Sequence, residues 1–258
     1  MKIRLLPSSF DENGAASPRQ HSTCFVIDDR VAIDAGSLAN AATDLHRRQL
    51  RDVVITHAHL DHIAGLPLFI DDLFATLTEP VRVHATREVI DILERDIFNW
   101  SVYPRFSELT NENGPVLNYH ELTPMTEAKI ANLTVKPVEM NHQVPTCGFV
   151  ISDGSRTIGF TGDTAETDSF WNELSGASKP SALFVECAFP DELAELAEVS
   201  HHLTPSGLAN EVKKFKDPDC RIFVINLKPM YRDRIIEEIE SLGLDRVEVL
   251  EISREYVI

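Results

Sequence analysis

The chain has 258 residues, 43% hydrophobic and 25% charged, enough to build a sizeable core as one large domain spanning 1–258. Its formal net charge of −17 argues against gripping long nucleic acid, which needs Lys and Arg to displace counterions. The opening MKIRLLPSSFDENG has too short an apolar run for a secretory leader, and no stretch reaches membrane-spanning length, so a cytoplasmic protein with no membrane partner is expected.

Strand-like runs come first: Ile3–Leu6, then Thr23–Ile27 and Val31–Asp34 around a turn at Asp28-Asp29-Arg30. Asp52–Thr56 is the next strand, and an amphipathic helix over Ile63–Ala75 follows it. Val81–His84 precedes a helix over Thr86–Trp100, with Thr86 as its cap. Residues 101–124 are rich in Asn, Pro and Gly with weak periodicity, which predicts a loop or lid insertion. Leu133–Glu139, Gly148–Ser152 and Thr157–Thr161 form a β-rich block with a turn at Asp153-Gly154. Ala182–Cys187, Arg221–Ile225 and Val247–Glu251 complete the strands; helices are expected over Thr204–Phe215, with Pro205 in its first turn, and Arg232–Leu242, stopped by Gly243. Strands grouped first and helices interleaved later indicate a layered α/β chain. Cys24, Cys147, Cys187 and Cys220 form no C-x-x-C pair and read as small reduced core residues.

The chemistry concentrates in ITHAHLDHIAGLP, residues 55–67. His57 and His59 are two apart at a strand end, so both rings project to one side; Asp61 continues that parity and His62 turns away as a helix begins. This suits two adjacent metal ions, one on His57 and His59, the other on Asp61 and His62. Imidazole and carboxylate donors fit zinc first, with manganese or iron as alternatives. Further ligands are on offer in His142, just after a strand, and Asp163, in a T-G-D-T turn. A lone histidine or turn aspartate would carry no such weight; the combination does.

THAHLDHIAGLP, with AIDAG upstream and NH and TGDT downstream, resembles the metallo-β-lactamase superfamily of metallohydrolases. The match runs over roughly residues 20 to 230, and its H-x-H-x-D-H core is highly specific. Leu60 and the following Gly-Leu-Pro resemble the class II cyclic-nucleotide phosphodiesterases more than the tRNA 3′-processing relatives. The resemblance implies a four-layer αββα sandwich, two mixed sheets flanked by helices. It implies that His57, His59 and His142 hold the first metal, that Asp61 and His62 hold the second, and that Asp163 bridges them. Asp34 would support the metal loop without ligating. Asp61 would orient the attacking hydroxide that bridges the ions, and His202 would act on the leaving oxygen. Lys228 is available to hold a phosphate. Asn226, in I-N-L-K-P, stands where the family carries a histidine ligand. The second site is then weak, or recruits His201, or takes a harder ion, or Asn226 contacts substrate instead.

The function expected from all this is dinuclear, metal-dependent hydrolysis of a small phosphodiester, a 3′,5′-cyclic nucleotide first, by a protein that could form a homodimer. The rivals are a tRNA 3′-end endonuclease-like hydrolase, a diiron oxygen-binding or redox protein on the same fold, and a metal-bound sensor.

Overall fold

The computed structural model describes residues 1–176, 180–217 and 219–258. The chain divides into two compact units: residues 1–123 with 252–257, and residues 124–251 with 258.

In the first unit the strands are β1 (Lys2–Leu5), β2 (Phe25–Ile27), β3 (Val31–Ile33), β4 (Asp52–Val54) and β5 (Val81–Ala85). Short helices α1 (Leu38–Ala41), α2 (Asp44–Gln49) and α3 (Leu60–Ile63) and the longer α4 (Gly65–Leu73) connect them. After β5 comes α5 (Arg87–Ile92), which widens into a π-helical turn over Leu93–Ile97. The long helix expected to Trp100 therefore ends early, and Thr86 occupies the cap position without a side-chain cap bond. The segment expected to be a loop also holds a 3₁₀ turn (Phe106–Glu108), a minimal hairpin of β6 (Thr110–Asn111) and β7 (Gly114–Pro115), and β8 (Leu117–Glu121). β8 pairs parallel to β5 and closes one edge of a seven-stranded sheet. The last strand of the chain, Glu255–Val257, closes the other edge against β1. β1, β2 and β3 are antiparallel; β3, β4, β5 and β8 are parallel. Helix α4 buries Leu66, Phe69, Ile70 and Leu73, a spacing of three and four that places them on one stripe.

The second unit repeats this plan. β9 (Ala128–Ile130), β10 (Leu133–Glu139), β11 (Cys147–Ser152) and β12 (Thr157–Phe160) run antiparallel. β13 (Ala182–Glu186), β14 (Arg221–Ile225) and β15 (Val247–Val249) then continue from β12 in parallel. The helices are α6 (Ser169–Gly176), α7 (Ala194–Ser200), α8 (Pro205–Val212) and α9 (Arg232–Ser241). Thr204 caps α8 by accepting the Gly207 amide, beside Pro205 at the first position, as its sequence predicts. The central strands β12, β13 and β14 are apolar on both faces, the mark of a sheet covered on both sides.

All four cysteines are buried free thiols. No helix among the described residues is long and apolar enough to cross a membrane. The two mixed, helix-flanked sheets agree with the fold class the motif implies.

Candidate metal and catalytic site

In the first unit the donors follow β4. His57 is fully buried, His59 and Asp61 are half-buried, and His62 is buried in α3. Backbone contacts fix this loop. The Thr23 amide donates to the Asp61 carbonyl at 2.8 Å, and the Ala35 amide to the His62 carbonyl at 2.7 Å. Gly36 makes the approach possible, because a Cβ there would sit 1.8 Å from the Asp61 carbonyl oxygen.

Asp34 holds the loop from below, in the left-handed region at φ 59°. Its carboxylate accepts from the Thr56 amide (2.8 Å), the Thr56 hydroxyl and His62 Nδ1 (2.7 Å). Burial pushes the Asp34 carboxyl up from its ordinary value, against the pull of His62 and Thr56. The Thr56 hydroxyl has one proton, and it goes to Asp34. Thr56 Oγ1, 3.0 Å from His57 Nδ1, must therefore accept from that ring. Both His57 and His62 thus carry a proton on Nδ1 and would ligate through Nε2. His57 Nε2 and His59 Nδ1 lie 3.1 Å apart, close to the separation of two nitrogens about 2.0–2.1 Å from one tetrahedral ion.

In the second unit the groups sit at the carboxyl ends of strands: His142 after β10, Asp163 after β12, Glu186 closing β13 and Asn226 after β14. Parallel register places Glu186 beside Ile225, which brings the β13 and β14 ends level. His142 Nδ1 donates to the His201 carbonyl at 3.0 Å, leaving Nε2 as its ligating atom. His142 and Asp163 offer donor atoms within 4.8 Å of one another. So do Asp163, Glu186 and His202.

Two residues take places that the sequence leaves open. The side chain of His201 bonds Asn141 Oδ1 at 2.9 Å, so its contribution to the site is the carbonyl that orients His142. Asn226, at φ 60°, donates its amide to Asp163 Oδ1 at 2.6 Å. It acts there as a donor to the expected bridging carboxylate.

Glu186 went unread in the sequence, where it looks like the last residue of an apolar strand. It is fully buried and accepts from His202 Nδ1 at 2.7 Å and from the Thr164 amide at 2.7 Å. Burial pushes the Glu186 carboxyl up. Burial opposes a charge on His202, but Glu186 and Asp163 together outweigh it and pull the imidazole up, while nearby Lys228 works against it. A buried Glu at a strand end followed about 16 residues later by a His pair is the signal that could have found it. His202 also meets His142, with ring centroids 5.1 Å apart.

In each unit the donors suit metal: His57 and His62 in the first, with Nδ1 engaged by Thr56 and Asp34, and His142 in the second, with Nδ1 on a carbonyl beside Asp163. A family model for the β-lactamase superfamily domain matches residues 29–220. A probable 3′,5′-cyclic-nucleotide phosphodiesterase of Yersinia pestis is 24% identical over 189 residues, covering 67% of this chain and 53% of that protein. The chloroplastic tRNase Z TRZ2 of Arabidopsis thaliana is 26% identical over 136 residues, covering 51% of this chain and 34% of that protein. The chain thus spans about half the length of the first and a third of the second. The crystal structure of unliganded yeast PDE1 superposes with a TM-score of 0.78 at 16% identity, covering 98% of each chain, which shows a shared fold. This chain belongs to the β-lactamase superfamily, with the metallo-β-lactamase fold that its histidine motif implies.

Proposed function

We propose that this protein hydrolyses a small phosphodiester, a 3′,5′-cyclic nucleotide first, using two divalent metal ions. The donors would be His57, His59 and His142 for one ion, Asp61 and His62 for the other, and Asp163 for both. The observation that carries this reading is the tautomer control: each of His57, His62 and His142 has Nδ1 engaged, so that Nε2 is the ligating atom. Zinc suits the donors best, with manganese or iron as alternatives.

When bound, such ions supply Lewis acidity, lowering the pKa of water and neutralising charge on the phosphoryl group. The protein does the rest. Asp61 would orient the attacking water. Lys228 holds a phosphoryl oxygen as a point charge. His202, with Nδ1 on Glu186, presents Nε2 to the leaving oxygen and can give it a proton. Asn226 orients Asp163.

Similarity to a tRNase Z supports a second reading, cleavage at an RNA 3′ end. The net charge of −17 disfavours it. A panel of cyclic nucleotides, an aryl phosphodiester, a phosphomonoester, a β-lactam and precursor tRNA, assayed alongside metal content, tests both. Cyclic nucleotides should yield the 5′-monophosphate. Turnover of the lactam with no diester cleaved would refute the proposal.

A further inference from the structure

His202 has a second neighbour that the chemistry above does not use. Phe189, three residues beyond Glu186, meets the His202 ring edge to face, with centroids 5.6 Å apart at 70°. Phe189 also neighbours Tyr231, with centroids 6.1 Å apart at 49°. Backbone bonds lock these segments together. The Ala188 and Phe189 amides donate to the Leu203 carbonyl, the Lys228 amide to the Ala188 carbonyl, and the Tyr231 amide to the Lys228 carbonyl. Both rings are partly buried and keep some surface in solvent, and Met230 beside them is 80% exposed. Aromatic and thioether surface left in water this close to a proton donor gains free energy when an apolar, planar group covers it.

We propose that Phe189 and Tyr231, with Met230 at the rim, form a stacking face for the heteroaromatic base of a nucleotide substrate. This rests on the phosphodiesterase reading and deepens it. A base carried one sugar away from a leaving oxygen at His202 Nε2 is within reach of Phe189, whose ring centroid lies 5.6 Å from that of His202. Stacking on a π-face tolerates different bases, so the platform selects for a base without strongly choosing which. A base-free sugar phosphate or an alkyl diester gains nothing from it.

The test uses the metal-loaded full chain and two measurements. The first is kcat/KM for a 3′,5′-cyclic nucleotide relative to a ribose 3′,5′-cyclic phosphate lacking the base. The second is calorimetric affinity for adenosine 5′-monophosphate relative to ribose 5-phosphate. Phe189→Leu should cut both ratios by roughly 10-fold, chiefly through KM and Kd, and Phe189→Trp should restore them. Tyr231→Leu, expected to act in the same direction, stands in if Phe189→Leu fails to fold. Ratios unchanged in the Leu variants would overturn the platform while leaving the hydrolase reading intact. A Phe189-dependent preference for adenosine monophosphate with no diester cleaved would support the platform and overturn the hydrolase reading. Neither cleavage nor base preference in the wild type would overturn both.

Discussion

Replacing Asn226 by Asp changes one atom's chemistry at the centre of the second unit. The two residues are isosteric, and both tolerate the left-handed backbone found here at φ 60°. The amide now donates to Asp163 at 2.6 Å. In the variant a carboxylate faces a carboxylate. Two unit charges about 4 Å apart at an effective dielectric near 20 repel by about 4 kcal/mol. Losing a hydrogen bond to a charged acceptor adds about 1.5–3 kcal/mol. Protonating one carboxyl avoids the repulsion at about 4 kcal/mol at pH 7, which sets the ceiling. For a domain of this size that is a fall in Tm of roughly 8–16 °C. The assay is thermal melting of wild type and Asn226→Asp in chelator, then with excess zinc or manganese. The chelated variant should show the full deficit, and the metal should remove most of it, since a second carboxylate beside Asp163 strengthens cation binding. The deficit should also shrink as pH falls, because protonation removes the repulsion. A chelated variant melting within about 2 °C of wild type would refute the contact between Asn226 and an ionised Asp163. A deficit that metal does not repair would refute the placing of Asp163 at the ion.

His57→Ala and His142→Ala should each lose most bound metal, measured by elemental analysis, since each removes one of few ligands; full retention in either would remove that residue from the ligand set. Gly36→Ala should lower stability by about 1–3 kcal/mol in denaturant unfolding, because its Cβ would meet the Asp61 carbonyl at 1.8 Å and the loop must move. Asn226→His should raise occupancy of the second ion in a metal titration, although the imidazole must accept φ 60°; two equally tight ions in the wild type would refute a weak second site. Asp52 is buried, which works against its charge, but the Arg82 fork at 2.7 and 2.8 Å and His84 at 2.9 Å hold its carboxyl below the ordinary range. A depressed pKa adds stability above the unfolded value and loses it as pH falls through the folded one. The stability difference between wild type and Asp52→Asn should therefore persist at neutral pH and shrink below about pH 4.

Candidate donors packed into six consecutive positions are legible from their spacing, and the strands were legible where apolar, β-branched runs ended at turn residues. The misses share a cause: a partner distant in sequence decides them. β8 reads LNYHE, polar enough to pass for loop, and becomes a strand through its parallel pairing with β5. Helix α2 is closed by Thr43 and His46, a capping box with imidazole in the place usually held by Glu or Gln. Glu186 hid in an apolar strand because its partner, His202, lies 16 residues on. Whether Asn226 met a metal, a substrate or a neighbour could not be read from one chain of letters, since Asp163 is 63 residues away. Phe189 was an unremarked aromatic until the fold set it against His202.

The backbone grip on the His57–His62 loop has a kinetic consequence. With Thr23 and Ala35 holding two carbonyls and Asp34 holding the side chains of Thr56 and His62, hydrogen bonds within the protein fix the path of the loop. An ion held by these residues as proposed would exchange by the swap of water for imidazole, with no rearrangement of the chain. The proposed site would then load at a pace set by how fast the incoming aquo-ion sheds its hydration shell.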